Sequence, residues 1–238
     1  MPENNQSWSV CVLCYNEEGA ISTVLEKLHH FLSEELSAGY EIIVINDGSK
    51  DNSLNEIERF QKKTPNSEIR IISHKTNLGI GMAIRTGYNA ARNENVMAMC
   101  GDGQFQLSDL KKVLTFEKNE FISFYRRKKE TYTVFRYFLS NTNRFINKYI
   151  FGINLIDVNW VKAYKRDQLK TIDFEITSSL VETEIASKLI KKGLKVKQVE
   201  TEYLPRIAGE PKGASFRIVT LALLELFKLI FVLSTKKT

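Results

Sequence analysis

A chain of 238 residues, 43% apolar and 26% charged, is long enough for one well-packed domain and too apolar to be disordered or collagen-like. Its net charge of +6 is gathered at one end: residues 188–238 hold eleven Lys/Arg against four Glu, a net of +7, which leaves the first 187 residues at −1. Such a basic quarter suits an anionic partner such as a phosphorylated substrate, lipid headgroups or nucleic acid, the plain alternative being a solvated helix face bearing Lys188, Lys191, Lys192 and Lys195.

The first seven residues lack the positive flank and apolar core of a secretory signal, so a cytosolic location is expected. Strand-like apolar runs cover 8–13, 41–46, 68–74, 96–100 and 120–125. Between them, helical stripes cover 21–36, 53–63, 80–92 and 107–117, the second ending before Pro65. Strands alternating with helices predict βαβ units, hence an α/β fold with a mainly parallel sheet. Cys11, Cys14 and Cys100 are read as buried strand residues, because Cys11-x-x-Cys14 has no second pair to complete a zinc site. The glycines of Asn77-Leu78-Gly79-Ile80-Gly81 do not make a dinucleotide fingerprint, since Ile84 replaces its third glycine and the segment lies outside the first βα turn. They are read as a tight turn and close packing ahead of a helix.

Three polar segments, Tyr15-Asn16-Glu17-Glu18, Asn46-Asp47-Gly48-Ser49 and Gly101-Asp102-Gly103-Gln104, begin where apolar runs stop. In open α/β sheets ligands collect outside the carboxyl ends of the strands, so three carboxylate-bearing loops are expected to converge on one pocket. The order of these segments, with Asn77-x-Gly79-x-Gly81-x-x-x-Arg85-x-Gly87 between the last two, resembles the family 2 glycosyltransferases of GT-A (Rossmann-like) fold. Downstream, Asp157-Val158-Asn159-Trp160, Lys192-Gly193-Leu194 and Tyr203-x-Pro205-Arg206-x-x-Gly209-x-x-Lys212 look like the dolichyl-phosphate mannosyltransferase and polyprenyl-phosphate glycosyltransferase branch.

That resemblance implies an inverting transfer of a sugar from a nucleotide-sugar donor to a polyprenyl phosphate. The positions expected to bind the nucleotide are Tyr15, Asn16, Glu17, Asp47, Gly48, Ser49, Gly81 and Arg85. Glu17 could equally be a first-turn acid behind an Asn16 cap, and Asp47 part of an Asx turn. The resemblance also implies a divalent cation, Mg²⁺ or Mn²⁺, on Asp102 and Gln104. Here the family's Asp-x-Asp pattern is broken by Cys100, a poor ligand for a hard cation. Asp102, Arg206 and Lys212 are the expected catalytic set, the two cations gripping acceptor phosphate, with Arg136 a further candidate. Glu184 lies where the family often has an acid, and a helix-surface glutamate explains it as well. A family 2 transferase with a hydroxyl acceptor, or a non-catalytic nucleotide-sugar-binding protein, is the alternative; nucleic acid is not an expected partner.

The division expected is a GT-A domain over 1–213 and an appended C-terminal helix with a basic tail over 214–238. Residues 216–233 are too charged to read plainly as a membrane span and are expected to lie on a membrane surface or a partner, making the protein peripheral. An aromatic-rich stripe over 134–151 is the second candidate for membrane contact.

Overall fold

The structure is a computed structural model that describes residues 6–65, 68–127, 147–149, 151–210 and 225–233. Arg136, Lys212, most of the 134–151 stripe and residues 216–224 lie outside the described residues. The strands are β1 (Trp8–Cys14), β2 (Tyr40–Asn46), β3 (Ile69–Ser73), β4 (Asn95–Cys100), β5 (Glu120–Arg126), β6 (Lys162–Lys165) and β7 (Lys195–Thr201). They form one seven-stranded sheet in the order β3-β2-β1-β4-β6-β5-β7. The first four are parallel, β6 runs antiparallel to both β4 and β5, and β7 is parallel to β5.

Helices cover both faces, which is why β1, β2 and β4 read as nearly unbroken apolar runs. Val10, Val12 and Cys14 pack on one side with α1 (Ile21–Glu35) and α2 (Ser53–Lys63), through Leu25, Leu28 and Ile57. Cys11, Ile43 and Ile45 face the other side, against α3 (Ile80–Ala90) and α5 (Val181–Lys191), with Ile84, Ile185 and Leu189 between them. A short helix α4 (Arg166–Lys170) follows β6. The segment expected as a helix over 107–117 is a 3-10 helix, Leu107–Val113.

Register places the site. Cys14 pairs with Asn46, and Leu13 with Cys100, so the carboxyl ends of β2, β1 and β4 are level and adjacent. Helical residues 225–233 pack onto the same core, with Leu229 and Leu233 in the cluster that holds Ile185 and Leu189. Lys188, expected on a solvated face, is buried: its ammonium donates to Glu184 at 2.6 Å and to the carbonyl of Asp173 at 2.7 Å. Lys191, Lys192 and Lys195 are exposed.

Candidate active site

Loops 15–18 and 47–53 are stitched to each other before either meets a ligand. The backbone N–H of Asn16 donates to Ser49 Oγ at 3.0 Å, Lys50 N–H donates back to Asn16 Oδ1 at 2.8 Å, and Glu17 N–H donates to Ser53 Oγ at 2.8 Å. Asn16 holds a φ of +52°, a conformation that asparagine tolerates better than most residues. That twist turns Glu17 inward, where it is buried, while Tyr15 stays half-buried at the end of β1.

Asp102, after β4, is buried beside it. One guanidinium joins the two acids: Arg206 donates from one terminal nitrogen to Asp102 Oδ2 at 2.8 Å and from the other to Glu17 Oε1 at 2.6 Å. Burial opposes charge on Arg206, but the bond to Glu17 and the charge of Asp102 outweigh it and hold the pKa above its ordinary value. For Asp102 burial wins, and its pKa is raised despite Arg206 and the N–H that Gln104 donates to Oδ1 at 3.1 Å.

Arg206 is delivered by backbone pairing. Leu204 N–H donates to the carbonyl of Gln104 at 3.0 Å and Ile207 N–H to that of Asp102 at 3.1 Å, so the segment crosses the Asp102 loop as a strap, with Phe105 bridged to Tyr203. Gln104 turns its amide N–H to the Tyr203 hydroxyl at 2.6 Å. Tyr203 and Trp160 in turn flank Arg126, whose guanidinium carbon lies 5.4 and 4.7 Å from the two rings while its N–H groups grip Asp157. Asp109 accepts from Thr201 Oγ1 and Glu202 N–H, both at 2.9 Å, which ties down the entry to the strap.

Asp47 faces inward as well, at the end of β2. Its Oδ1 accepts from Leu78 N–H at 2.9 Å and pairs with His74 Nδ1 at 2.6 Å, and Oδ2 accepts from Gly79 N–H at 2.8 Å. His74 Nε2 pairs with Thr86 Oγ1 at 2.9 Å, tying loop 74–79 to α3. Gly48 lies at φ +67°, and a Cβ there would come within 2.4 Å of the Thr76 carbonyl carbon, so this loop closes over a bare glycine.

Gly81 and Arg85, expected to touch the nucleotide, lie against loop 175–178. Arg85 donates to the carbonyl of Ile176 at 3.3 Å, and a Cβ on Gly81 would lie 2.1 Å from the carbonyl oxygen of Ser178. Glu184, expected on a helix surface, is fully buried and accepts from Glu175 N–H at 3.0 Å and Ile176 N–H at 2.9 Å, so it anchors this loop. Cys11 and Cys14 are buried in β1, as their apolar setting requires. Cys100 is half-buried at the end of β4; burial, then Asp102 and Glu17, push its thiol up to about 12, so it brings no charge.

Glu17 and Asp102 converge on a single positive group, the Arg206 guanidinium, and their carboxylate oxygens are hard donors of the kind a divalent cation takes. Among the described residues no cluster of three or more His, Cys, Asp or Glu side chains forms a metal site, so diphosphate oxygens would have to complete the shell. His74 escaped the sequence reading, as did the loop-anchoring role of Glu184 and Glu225. His74 follows β3, and the logic that picked out the ends of β1, β2 and β4 also points to it.

The family model for glycosyl transferase family 2 matches residues 9–174. The dolichyl-phosphate beta-glucosyltransferase of Dictyostelium discoideum is 34% identical over 116 residues, 47% of this chain and 36% of that protein. Its counterpart from Saccharomyces cerevisiae is 33% identical over 109 residues, 44% of this chain and 33% of that protein. The matched part thus spans about a third of the length of these curated relatives. Among solved structures, the mannosyltransferase PcManGT from Pyrobaculum calidifontis, in complex with GDP-Man and Mn²⁺, superposes with a TM-score of 0.67 at 16% identity, over 100% of this chain and 67% of that one. Glucosyl-3-phosphoglycerate synthase from Mycobacterium tuberculosis, with Mn²⁺, UDP and phosphoglyceric acid, gives 0.67 at 16% identity, over 94% and 78%. At that identity they speak to the fold, which is α/β and GT-A-like. With the family model running from β1 through β6 and over the loops that bear Glu17, Asp47 and Asp102, this chain belongs to glycosyl transferase family 2.

Proposed function

We propose that the protein transfers a hexosyl unit from a nucleotide sugar to a polyprenyl phosphate, with inversion, at the cytosolic surface of a membrane. The observation that carries this reading is the meeting of Glu17, Asp102 and Arg206 at the ends of β1 and β4, acids and a cation together where a nucleoside diphosphate has both to be bound and to leave. The names of the curated relatives, dolichyl-phosphate beta-glucosyltransferases, favour glucose and a dolichyl-type acceptor.

In the reaction an ionised oxygen of the lipid phosphate bonds to the anomeric carbon as the bond from that carbon to the β-phosphate oxygen breaks, and the nucleoside diphosphate departs with the electron pair. One displacement inverts the centre. A phosphate monoester is already a nucleophile, so no strong base is needed. This agrees with Glu184 being spent on backbone N–H groups and Lys188, whereas a hydroxyl acceptor would need such an acid free. Glu17 lies on the donor side of the site, and Asp47 holds loop 74–79 as its wall. Arg206 grips phosphate oxygens, with Lys212 beside it in sequence. Mg²⁺ or Mn²⁺ on Asp102, with Gln104 adjacent, would neutralise charge on the leaving diphosphate.

The test is a donor panel, including UDP-glucose and GDP-mannose, incubated with a short polyprenyl phosphate. Formation of a polyprenyl-phosphate hexose with release of nucleoside diphosphate is expected. Binding of a donor without any transfer would favour the non-catalytic alternative.

A further inference from the structure

We propose that Glu17 supplies the second carboxylate of the cation seat, the one Cys100 does not provide, and that Arg206 occupies this seat until the donor's diphosphate draws it away. The inference rests on the transferase reading only in naming the diphosphate as the group that moves Arg206.

Glu17 and Asp102 come from different strands, yet each places an oxygen within 2.8 Å of the same guanidinium, at 2.6 and 2.8 Å. Both acids are buried, and two such charges are not left near each other without a cation. Cys100, at the end of β4, offers a soft sulfur that a hard cation binds poorly. Two carboxylates balance one divalent cation fully, whereas one guanidinium leaves the trio at a net charge of −1. The seat is therefore under-neutralised while Arg206 holds it. The strap fixes the Arg206 backbone beside the seat through Leu204 and Ile207 on either side, so only its side chain has to move. Among the described residues its bonds engage one N–H on each terminal nitrogen and leave a second on each, a pair suited to two phosphate oxygens. Arriving with a cation, a diphosphate offers Arg206 a new partner while the cation takes the acids.

Mn²⁺ binding to the full chain, followed without nucleotide by loss of the free-ion electron paramagnetic resonance signal, tests this. Arg206→Gln should bind Mn²⁺ about tenfold tighter than the unsubstituted protein, because the competing cation is gone. Glu17→Gln, which keeps the side-chain volume, should weaken Mn²⁺ about tenfold in either background. Unchanged or weaker binding in Arg206→Gln would show that Arg206 does not hold the seat, and undiminished binding in Glu17→Gln would remove Glu17 from it. Should Arg206→Gln fail to fold, the Glu17→Gln comparison alone decides. No donor, acceptor or turnover enters these measurements, so a failed donor panel leaves their outcome intact.

Discussion

Asp102 is the residue on which the proposed donor chemistry and the strap geometry meet. Asp102→Asn keeps the shape and removes the charge, and transfer in the donor assay should fall by about two orders of magnitude, the scale of losing one preorganised charge-stabilising group. Full activity would take Asp102 out of the charge balance. Cys100→Asp should sharpen Mg²⁺ dependence at unchanged or higher activity, since it returns a hard ligand to the end of β4; a folded but inactive variant would show that the loop has been reshaped for another purpose. Glu17, Asp47 and Asp102 were legible because each follows a buried parallel strand, and the sheet brings strand ends together whatever the loops do. Their partners were not legible. Nothing in the spacing says that Arg206, 104 residues after Asp102, would donate to it, because the strap closes a contact that only tertiary pairing defines.

Loop 175–178 shows the same limit one level up. Its four successive N–H groups go to two acids from different helices, those of Glu175 and Ile176 to Glu184, and those of Thr177 and Ser178 to Glu225 at 3.1 and 2.6 Å. Burial works against ionised Glu225, and the hydrogen bonds from Ser178 and Thr177 outweigh it, so its pKa is lowered. A carboxylate lowered by folding contributes stability above its unfolded pKa and loses it as pH falls through the folded value. Amide hydrogen exchange at Thr177 and Ser178, taken relative to the intrinsic rate at each pH, should accordingly be slow near neutrality and speed up in acid below the ordinary glutamate range. In Glu225→Gln it should be about tenfold faster at neutral pH, a modest figure because the group is partly exposed; equal protection would mean that Glu225 does not hold the loop. Gly81→Ala attacks the loop from beneath: a Cβ 2.1 Å from the Ser178 oxygen forces it to move, and thermal unfolding should register a loss of roughly 1–3 kcal/mol. The burial of helix α5 escaped the sequence reading, which put Glu184 and Lys188 on a helix surface, because the polar Glu182, Thr183, Glu184, Ser187 and Lys188 hide the apolar period. Strand β7 escaped because Lys195, Lys197 and Gln198 give an edge strand the look of a solvated loop. Strand β6 has four residues, too few to show a pattern.

At the scale of the whole molecule, the C-terminal helix has one buried face and one exposed face. Leu229 is fully buried, Val232 and Leu233 nearly so, and Lys228 donates to the carbonyl of Glu175 at 2.6 Å, so residues 225–233 close one side of the core. Phe227 and Phe231, one turn apart, are 74% and 68% exposed on the other side. No helix among the described residues is long and apolar enough to cross a membrane. Two exposed phenylalanines beside Lys228, with Arg217, Lys236 and Lys237 near in sequence, suit an anionic membrane surface, where each cation adds about 1 kcal/mol. The two faces can be separated by substitution. Leu229→Ala should cost roughly 2–5 kcal/mol in chemical denaturation, the range for a buried leucine, because it opens a cavity against Ile185 and Leu189. Phe227→Ser with Phe231→Ser should leave that stability nearly unchanged and yet reduce sedimentation with anionic liposomes. Loss of stability in the double variant would place both rings in the fold, and undiminished sedimentation would move the membrane contact to another part of the chain, residues 134–151 first.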